Sequence, residues 1–431
     1  MLLDPCNART RVERGLPLWV VLVVGTGCSY DLPEIAPGPG TDYHVDATGG
    51  DDANPGTAAL PWRSLARVNA GTFVPGDRIL LRRGETWAES ITPPSSGTSA
   101  APIVFGAYGS GDRPRITGAP NKGCIQWSQA RSHLVFRDLH LYRCGQPGGT
   151  NEGGINVWSD AGPSTDIVIE GCLIEEARTW SIYLSGLAQV VIRDNTLDAS
   201  ESGINIDGAL ATDDVVVEGN EIHGHNDMCI HVSAATGVIL RRNRIHDCAL
   251  GGVNNVGAPD LLAHHNLIHG AMAGIYNACD SPTMCASGGV YHHNTIVVTG
   301  SGGCIETTAE ASFAEIENNI CVHQGSGGVL LGSGQTTGKS DHNLFFGPSS
   351  VGFDWGGASY GTLAGYQAAS GQDSHSKHAD PLFVSAATGD YHLSAGSPAV
   401  DLGPSLGYAT DLDGNPMPAG AGADAGAFER Q

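Results

Sequence analysis

The sequence predicts an all-β chain wound as a right-handed parallel β-helix, with an N-terminal cap containing a short helix and a C-terminal β cap. Two observations carry this reading. Short runs alternate apolar and polar residues with period 2, the mark of strands with one face inward. A unit of about two dozen residues then repeats through the middle of the chain, the mark of a stacked solenoid.

The repeat is anchored at Cys172, Asn195, Asn220, Asn243, Asn266, Asn294, Asn319 and Asn343. The steps between them are 23, 25, 23, 23, 28, 25 and 24 residues. Apolar-patterned runs flank each anchor, as in Val191 to Leu197, Val216 to Ile222, Ile239 to Ile245, Leu262 to Ile268 and Val290 to Ile296. Leu134 to Leu141 reads as an earlier, divergent turn of the same unit. A third short run follows Gly-rich sequence, as in Ser202 to Ile206, Cys229 to Val232 and Gly274 to Tyr276. Three such strands cannot close a sheet alone, but coils stacked about 4.8 Å apart can. Asn at one turn position stacks into a hydrogen-bonded ladder that satisfies buried backbone groups, so these Asn residues are structural.

Composition agrees. The 431 residues include 61 Gly, and only 16% are charged, which suits many short strands and tight turns. The formal charge of −23 argues against nucleic acid and anionic membrane surfaces as partners. An anionic polymer would need a local basic patch or a metal.

At the N-terminus, Arg9, Arg11 and Arg14 precede the apolar run Leu16 to Val24. That run is shorter than the roughly 20 residues a bilayer requires. It reads as an export signal over residues 1–28, ending in Gly25-Thr26-Gly27-Cys28, a box in which Cys28 would carry lipid. Residues 29–40 are rich in Pro and Gly and read as a tether. The expected location is extracellular or in the cell envelope. Setting aside Cys6 and Cys28, nine of the 11 Cys remain, so at least one is unpaired. Cys279 and Cys285 flank a short segment and form the expected disulfide; Cys172 reads as a buried small apolar residue.

Both open ends of the solenoid need covering. Residues 41–118 form the expected N-terminal cap, in which Pro61 to Asn69 reads as a short helix whose Leu65 and Val68 plug the first coil. Coils follow over residues 119–346, an irregular connection over 347–378, and a C-terminal cap over 379–431. In the opening block, Gly56-Thr57, Pro61-Trp62, Pro75-Gly76-Asp77 and Ala101-Pro102-Ile103 resemble bacterial right-handed parallel β-helix proteins of the pectate-lyase-like superfamily. The closing block, with Asp380-Pro381-Leu382-Phe383, Gly396-Ser397-Pro398-Ala399 and Asp424 to Glu429, resembles the end of β-helix proteins labelled "choice-of-anchor". No sorting tail follows Glu429, which leaves the N-terminal signal as the anchor candidate.

The resemblance implies a groove along the first parallel sheet and an extracellular polysaccharide as partner. Alternation places Asn156, Tyr183, Asn205, His231, Asn254, Tyr276 and Glu306 in one outward column, with Trp158, Asp207 and Ser233 two residues on. Aromatics mixed with hydrogen-bonding groups suit sugar rings; the bland alternative is a solvated face. Substrate-binding roles are therefore expected for Trp158, Tyr183, Asn205, Asn254, Tyr276 and Glu306. The densest cluster is Asp207 with Asp227 and His231 on the next coil, a candidate catalytic set if held roughly 6–9 Å apart. Asn205-Ile206-Asp207-Gly208 and Asp227-Met228-Cys229-Ile230 resemble polygalacturonase motifs, but Met228 stands where those enzymes have an acid, and the Gly-His-Gly and Arg-Ile-Lys elements are missing. A lyase would need a base, an acid and a group neutralising a uronate. Lys122, Lys339 and Lys377 all lie outside the central coils, so His231 or Tyr276 would have to serve, with Arg178, Arg193, Arg241 or Arg242 as charge partner.

Other clusters read as structure. His223, His246 and His269 share one repeat position, and His264-His265 matches His292-His293. Asp46, Asp51, Asp52 and Asn54 could hold calcium or simply form a solvated turn, and the same holds for Asp411 and Asp413. The leading reading is an enzyme, a polysaccharide lyase or glycoside hydrolase; the rival is a non-catalytic surface protein that binds glycan or another cell; in either case the chain is expected to be a monomer. For export, the mature protein should begin at or near Cys28, with lipid attached if the box is used; ordinary secretion is the alternative, since Gly25 stands where such a box usually has Leu. Mass spectrometry of a Cys28→Ser variant should show no lipid, and labelled fatty acid retained on that variant would rule the lipid box out.

Overall fold

The computed structural model describes residues 40–431 apart from 147–151, 282–283, 309, 326–328, 334–337 and 349. The proposed signal, Cys28 and the tether lie outside the described residues. The chain winds through about ten coils, each contributing a strand to three parallel sheets. Sheet A runs from Asp42–Val45 to Lys339–Asp341, sheet B from Thr86–Trp87 to Lys377–His378, and sheet C from Ile125–Trp127 to Gly352–Trp355. Inward residues such as Ile182, Ile204, Ile230, Val253 and Ile275 are fully or almost fully buried, and one apolar core runs the length of the solenoid.

The sharp turn from sheet A to sheet B holds the ladder. Each Asn accepts, on Oδ1, the backbone N–H of the anchor one coil earlier: Cys172 to Asn195 at 2.9 Å, Asn195 to Asn220 at 3.0 Å, Asn220 to Asn243 at 3.1 Å, and so on to Asn343. Its Nδ2 donates to a sheet A carbonyl of the preceding coil, as Asn243 does to Val217 at 2.8 Å. The residue before each ladder Asn is left-handed: Gly219 has φ 64°, His265 52°, Asn318 59° and His342 55°. The ladder bonds hold side-chain-bearing residues in a conformation that ordinarily favours Gly. At the far end, Asn343 donates to Asp373 and its N–H is received by Ser376, which terminates the stack.

The ends close differently. Ser64 caps the helix Leu65–Asn69 by accepting from Arg67 N–H, and Leu65 and Val68 enter the first coil fully buried. At the other end, the stretch expected to be irregular contains strands Gly352–Trp355 and Ala358–Tyr360 and the helix Leu363–Ser370. Phe353, Trp355, Leu363 and Tyr366 join the main core there, because the last coil would otherwise expose its apolar interior. The closing block 379–431 carries the hairpin Phe383–Ser385 and Asp390–Leu393 and covers the outer face of the last strands of sheet B. Tyr391, Leu393, Leu412 and Phe428 pack there on Leu267, Val297, Ile320 and Leu344, forming a second core. Among the described residues, four disulfides, Cys124–Cys144, Cys229–Cys248, Cys279–Cys285 and Cys304–Cys321, leave Cys172 free and buried.

Replacing Asn243 with Ala would strip Asn220 N–H of its acceptor and Val217 C=O of its donor in a dry turn. Each orphaned group costs about 1–3 kcal/mol. Asn243→Ala should therefore lower stability by about 2–5 kcal/mol in urea unfolding, while Asn226→Ala, on an exposed turn, should change it by less than about 0.5 kcal/mol. Equal midpoints for the two variants would remove the ladder from its structural role.

Candidate functional site

Sheet C carries the site candidates. A coil has no natural first strand, so this is the sheet on which alternation placed the groove. The register aligns Asn156, Tyr183, Asn205, His231, Asn254, Tyr276 and Glu306 in one outward column. Trp158, Ser185, Asp207 and Ser233 form the next. Sheet C leaves Trp158 exposed, while the closing block covers the last strands of sheet B, at Leu267, Val297, Ile320 and Leu344. Sheet A is laced by ion pairs such as Arg193–Glu170 and Arg241–Glu218, both 2.6 Å.

Within the columns, one group of side chains touches. Trp158, 41% exposed, stacks on Tyr183 with ring centroids 6.3 Å apart and planes 12° from parallel. The Tyr183 hydroxyl donates to Asp207 Oδ2 at 2.6 Å, and Asp207 Oδ1 accepts the Ala209 N–H at 2.8 Å. Burial, followed by the Asp207 carboxylate, raises the Tyr183 phenol well above its ordinary range, so Tyr183 is a neutral donor and not a proton-transfer group. Asp207 pairs with Ser233, which places it diagonal to His231, about 8 Å away between Cα atoms by strand spacing and rise. Asn254 Nδ2 lies 3.1 Å from His231 Nδ1. Either the amide N–H donates to Nδ1 or, with the amide turned over, the Asn254 oxygen, which otherwise has no partner, accepts from Nδ1–H and leaves Nε2 to carry a second proton. Trp158 also lines a hollow of about 270 Å³ with Gln126, Ser128 and Asn156.

The expected convergence of Asp207, Asp227 and His231 on one depression does not occur. Asp227 precedes the strand Met228–Ser233, whereas Asp207 pairs with Ser233 at its end. Six residues of strand separate the two acids, about 20 Å, so they cannot divide acid and base roles on one bond. Asp227 instead accepts from Ser202 Oγ at 3.0 Å, at the opposite edge of sheet C. Beside that edge is a hollow of about 620 Å³ lined by Arg143, Glu176, Arg178, Glu201 and Asn226. Tyr276 and Glu306 lie farther along the column; burial, and then the Glu306 charge, raise the Tyr276 phenol. The proposed charge partners are also corrected. Arg193, Arg241 and Arg242 lie on sheet A or its turn, engaged by Glu170 and Glu218, because their repeat position faces away from sheet C.

Alternation missed Trp180. Three residues from Tyr183, it reads as inward, yet it is half-buried with its ring centroid 6.2 Å from that of His231. The strand is entered from a turn at this point, and the two-residue pleat starts only after it. The suspected calcium loop directs its oxygens into turns: Asp46 accepts from Thr48 and Gly49 N–H and pairs with Arg82, while Asp52 holds Arg63 N–H and Ser64. Asp411 likewise accepts from Asp413, Asn415 and Glu429 N–H. His223, His246 and His269 stack 4.7 and 4.9 Å apart, as a shared repeat position requires.

A family model described as "Right handed beta helix region" matches residues 153–336. Over 97 residues the chain is 40% identical to a lacto-N-biosidase of Bifidobacterium longum subsp. longum, a match spanning 21% of this chain and 6% of that protein. The GH136 lacto-N-biosidase from Eubacterium ramulus superposes with a TM-score of 0.60 at 18% identity, over 72% of this chain and 64% of that one. Pectate lyase Pel9A superposes with a TM-score of 0.57 at 14% identity, over 92% and 98% of the two chains. At these identities the structural likeness is one of fold, a right-handed parallel β-helix.

The Tyr183–Asp207 bond makes a measurable claim. Removing the carboxylate charge in Asp207→Asn should lower the Tyr183 phenol pKa toward the ordinary value of about 10. Ultraviolet titration of phenolate, with Tyr183→Phe identifying the signal, would show one tyrosine ionising earlier. An unchanged titration curve would separate the two groups.

Proposed function

We propose that the protein hydrolyses glycosidic bonds of a neutral or N-acetylated glycan laid across sheet C. Of the two enzymatic readings, the electrostatics of the face favour hydrolysis over lyase chemistry. The sheet C strands carry no Lys or Arg, while Asp207, Glu306 and Asp354 stand on them. A uronate carboxylate 5 Å from one such charge costs about 3 kcal/mol at an effective dielectric of 20. The hollow containing Arg143 and Arg178 is balanced by Glu176 and Glu201.

The observation that carries the proposal is the Trp158–Tyr183–Asp207 contact with His231 diagonal to it. Trp158 offers an exposed ring to the apolar face of a sugar, with Gln126 and Asn156 in reach of its hydroxyls. His231, as the imidazolium with its Nδ1–H held by the Asn254 amide oxygen, gives the Nε2 proton to the leaving glycosidic oxygen and is left as the neutral ring. Asp207, oriented by Tyr183, stabilises the positive charge that develops on the sugar ring or activates the attacking water. The matching stretch of the Bifidobacterium longum lacto-N-biosidase supports a glycosidase reading. Asp227 serves substrate binding at the far edge of the sheet.

Incubation with a panel of neutral, N-acetylated and uronate glycans tests this. Saturated products with new reducing ends are expected, and Asp207→Asn and His231→Ala should each lose about 10²–10⁴-fold in rate. Asp227→Asn should retain turnover, and Trp158→Ala should mainly raise KM. Unsaturated, ultraviolet-absorbing products would establish a lyase instead. Saturable glycan binding without any product would favour the non-catalytic alternative.

A further inference from the structure

A second cluster stands where the last coil meets the segment leading to the closing block, away from sheet C. Asp341, His342 and His375 bring their donor atoms within 4.8 Å of one another. Asp341 Oδ2 lies 2.7 Å from His375 Nδ1 and 3.7 Å from His342 Nδ1. Glu317 Oε1 lies 3.2 Å from the same His342 nitrogen. A tetrahedral zinc with bonds of 2.0–2.2 Å sets its donors about 3.3 Å apart, a value these distances bracket.

Asp341 is oriented as a ligand is, and Glu317 is held against His342. Asp341 Oδ1 accepts the N–H groups of His342 at 2.9 Å and His375 at 2.8 Å, which leaves Oδ2 aimed at the imidazoles. Glu317 Oε2 receives Lys339 Nζ at 2.6 Å, which leaves Oε1 on the His342 side, and the Glu317 side chain is only 2% exposed. Such outer partners fix ligating oxygens in metal sites. Glu315 and Glu317 share Lys339, Glu315 also meets His292, and Asp341 faces the two imidazoles. His342 presents its ring from the left-handed position before Asn343, and the His375 ring stacks on it at 4.8 Å. His375, 66% exposed on a turn, can tilt onto a shared ion; Ser374 Oγ, 3.2 Å from its Nδ1, also lies close.

We infer that Asp341, His342 and His375 form a site for zinc or a similar first-row divalent cation, with Glu317 beside His342. Two imidazoles and a carboxylate suit that class better than calcium, which takes six to eight oxygens. The ion joins the turn of the last coils to residues 371–378, beside Asp373 and Ser376 where the Asn ladder ends. It therefore locks the open end of the ladder. This does not depend on the reading of sheet C. On sheet B, Glu221, His223 and His246 also bring donor atoms within 4.8 Å of one another, but Glu221 is half exposed, and among the described residues no backbone N–H orients it as those of His342 and His375 orient Asp341.

The full chain, stripped with chelator, would be titrated with Zn²⁺ by calorimetry and with Co²⁺ by visible absorption. One equivalent is expected in the wild type, accompanied by a rise in the thermal unfolding midpoint. His375→Ala, and His342→Asn, which places at the turn the residue already present at Asn318, should each lose that equivalent and the rise. His246→Ala should keep both. Absence of a bound ion at micromolar concentrations would overturn the assignment, as would unchanged stoichiometry in the two variants.

Discussion

The structure depends on one hydrogen-bonded stack, the Asn ladder between sheets A and B. A turn that reverses the chain within two residues leaves N–H and C=O groups facing inward, where no water reaches them. A lone Asn could satisfy one turn; Asn on successive coils satisfies each turn by means of the next. The register of the coils follows, because a slip by one residue would break the bonds from Cys172 to Asn343 together. The left-handed residues before the ladder are tolerated for the same reason. Their unfavourable backbone is held by bonds that no alternative conformation supplies.

Register also decides which side chains can act together. On a parallel sheet a residue meets its equals one coil away and its diagonal neighbours two residues along. Tyr183, Asp207 and His231 stand in that relation, whereas Asp207 and Asp227 do not, although they are closer in sequence than many residues that touch. The closing block conceals the last strands of sheet B, and Glu–Arg pairs occupy sheet A, whereas sheet C presents aromatic and amide columns. The sheet C strands carry no Lys or Arg, which is what favours neutral sugars over uronates in the proposed function.

Acidity and buried histidine meet at the closing block. His264, His265 and His293 are buried against residues 408–424, and burial lowers all three. They stay neutral in the folded chain at pH values where an unfolded histidine, near 6.5, takes up a proton, so this interface weakens as the pH falls through that value. The covering of sheet B is thus tied to neutral histidine, while the ladder, built of amides, does not titrate.

Much of the fold was legible in the residues alone. Period-2 runs define strands, and Asn at nearly constant steps defines coils and their stacking, because both are local consequences of backbone geometry. The outward column from Asn156 to Glu306 followed from the same alternation. What lay beyond the sequence was distance across coils. Alternation states which face a residue occupies but not how far along the strand it stands from a residue of the next coil, so Asp227 was grouped with Asp207 although about 20 Å of strand separates them. It also failed for Trp180, where a turn displaces the pleat. The path of residues 379–431 onto sheet B, and the meeting of His375 with Asp341 and His342, depend on where a chain segment returns after leaving the solenoid. Only the packed structure decides that, because the apolar surface that receives the segment exists only once the coils have stacked.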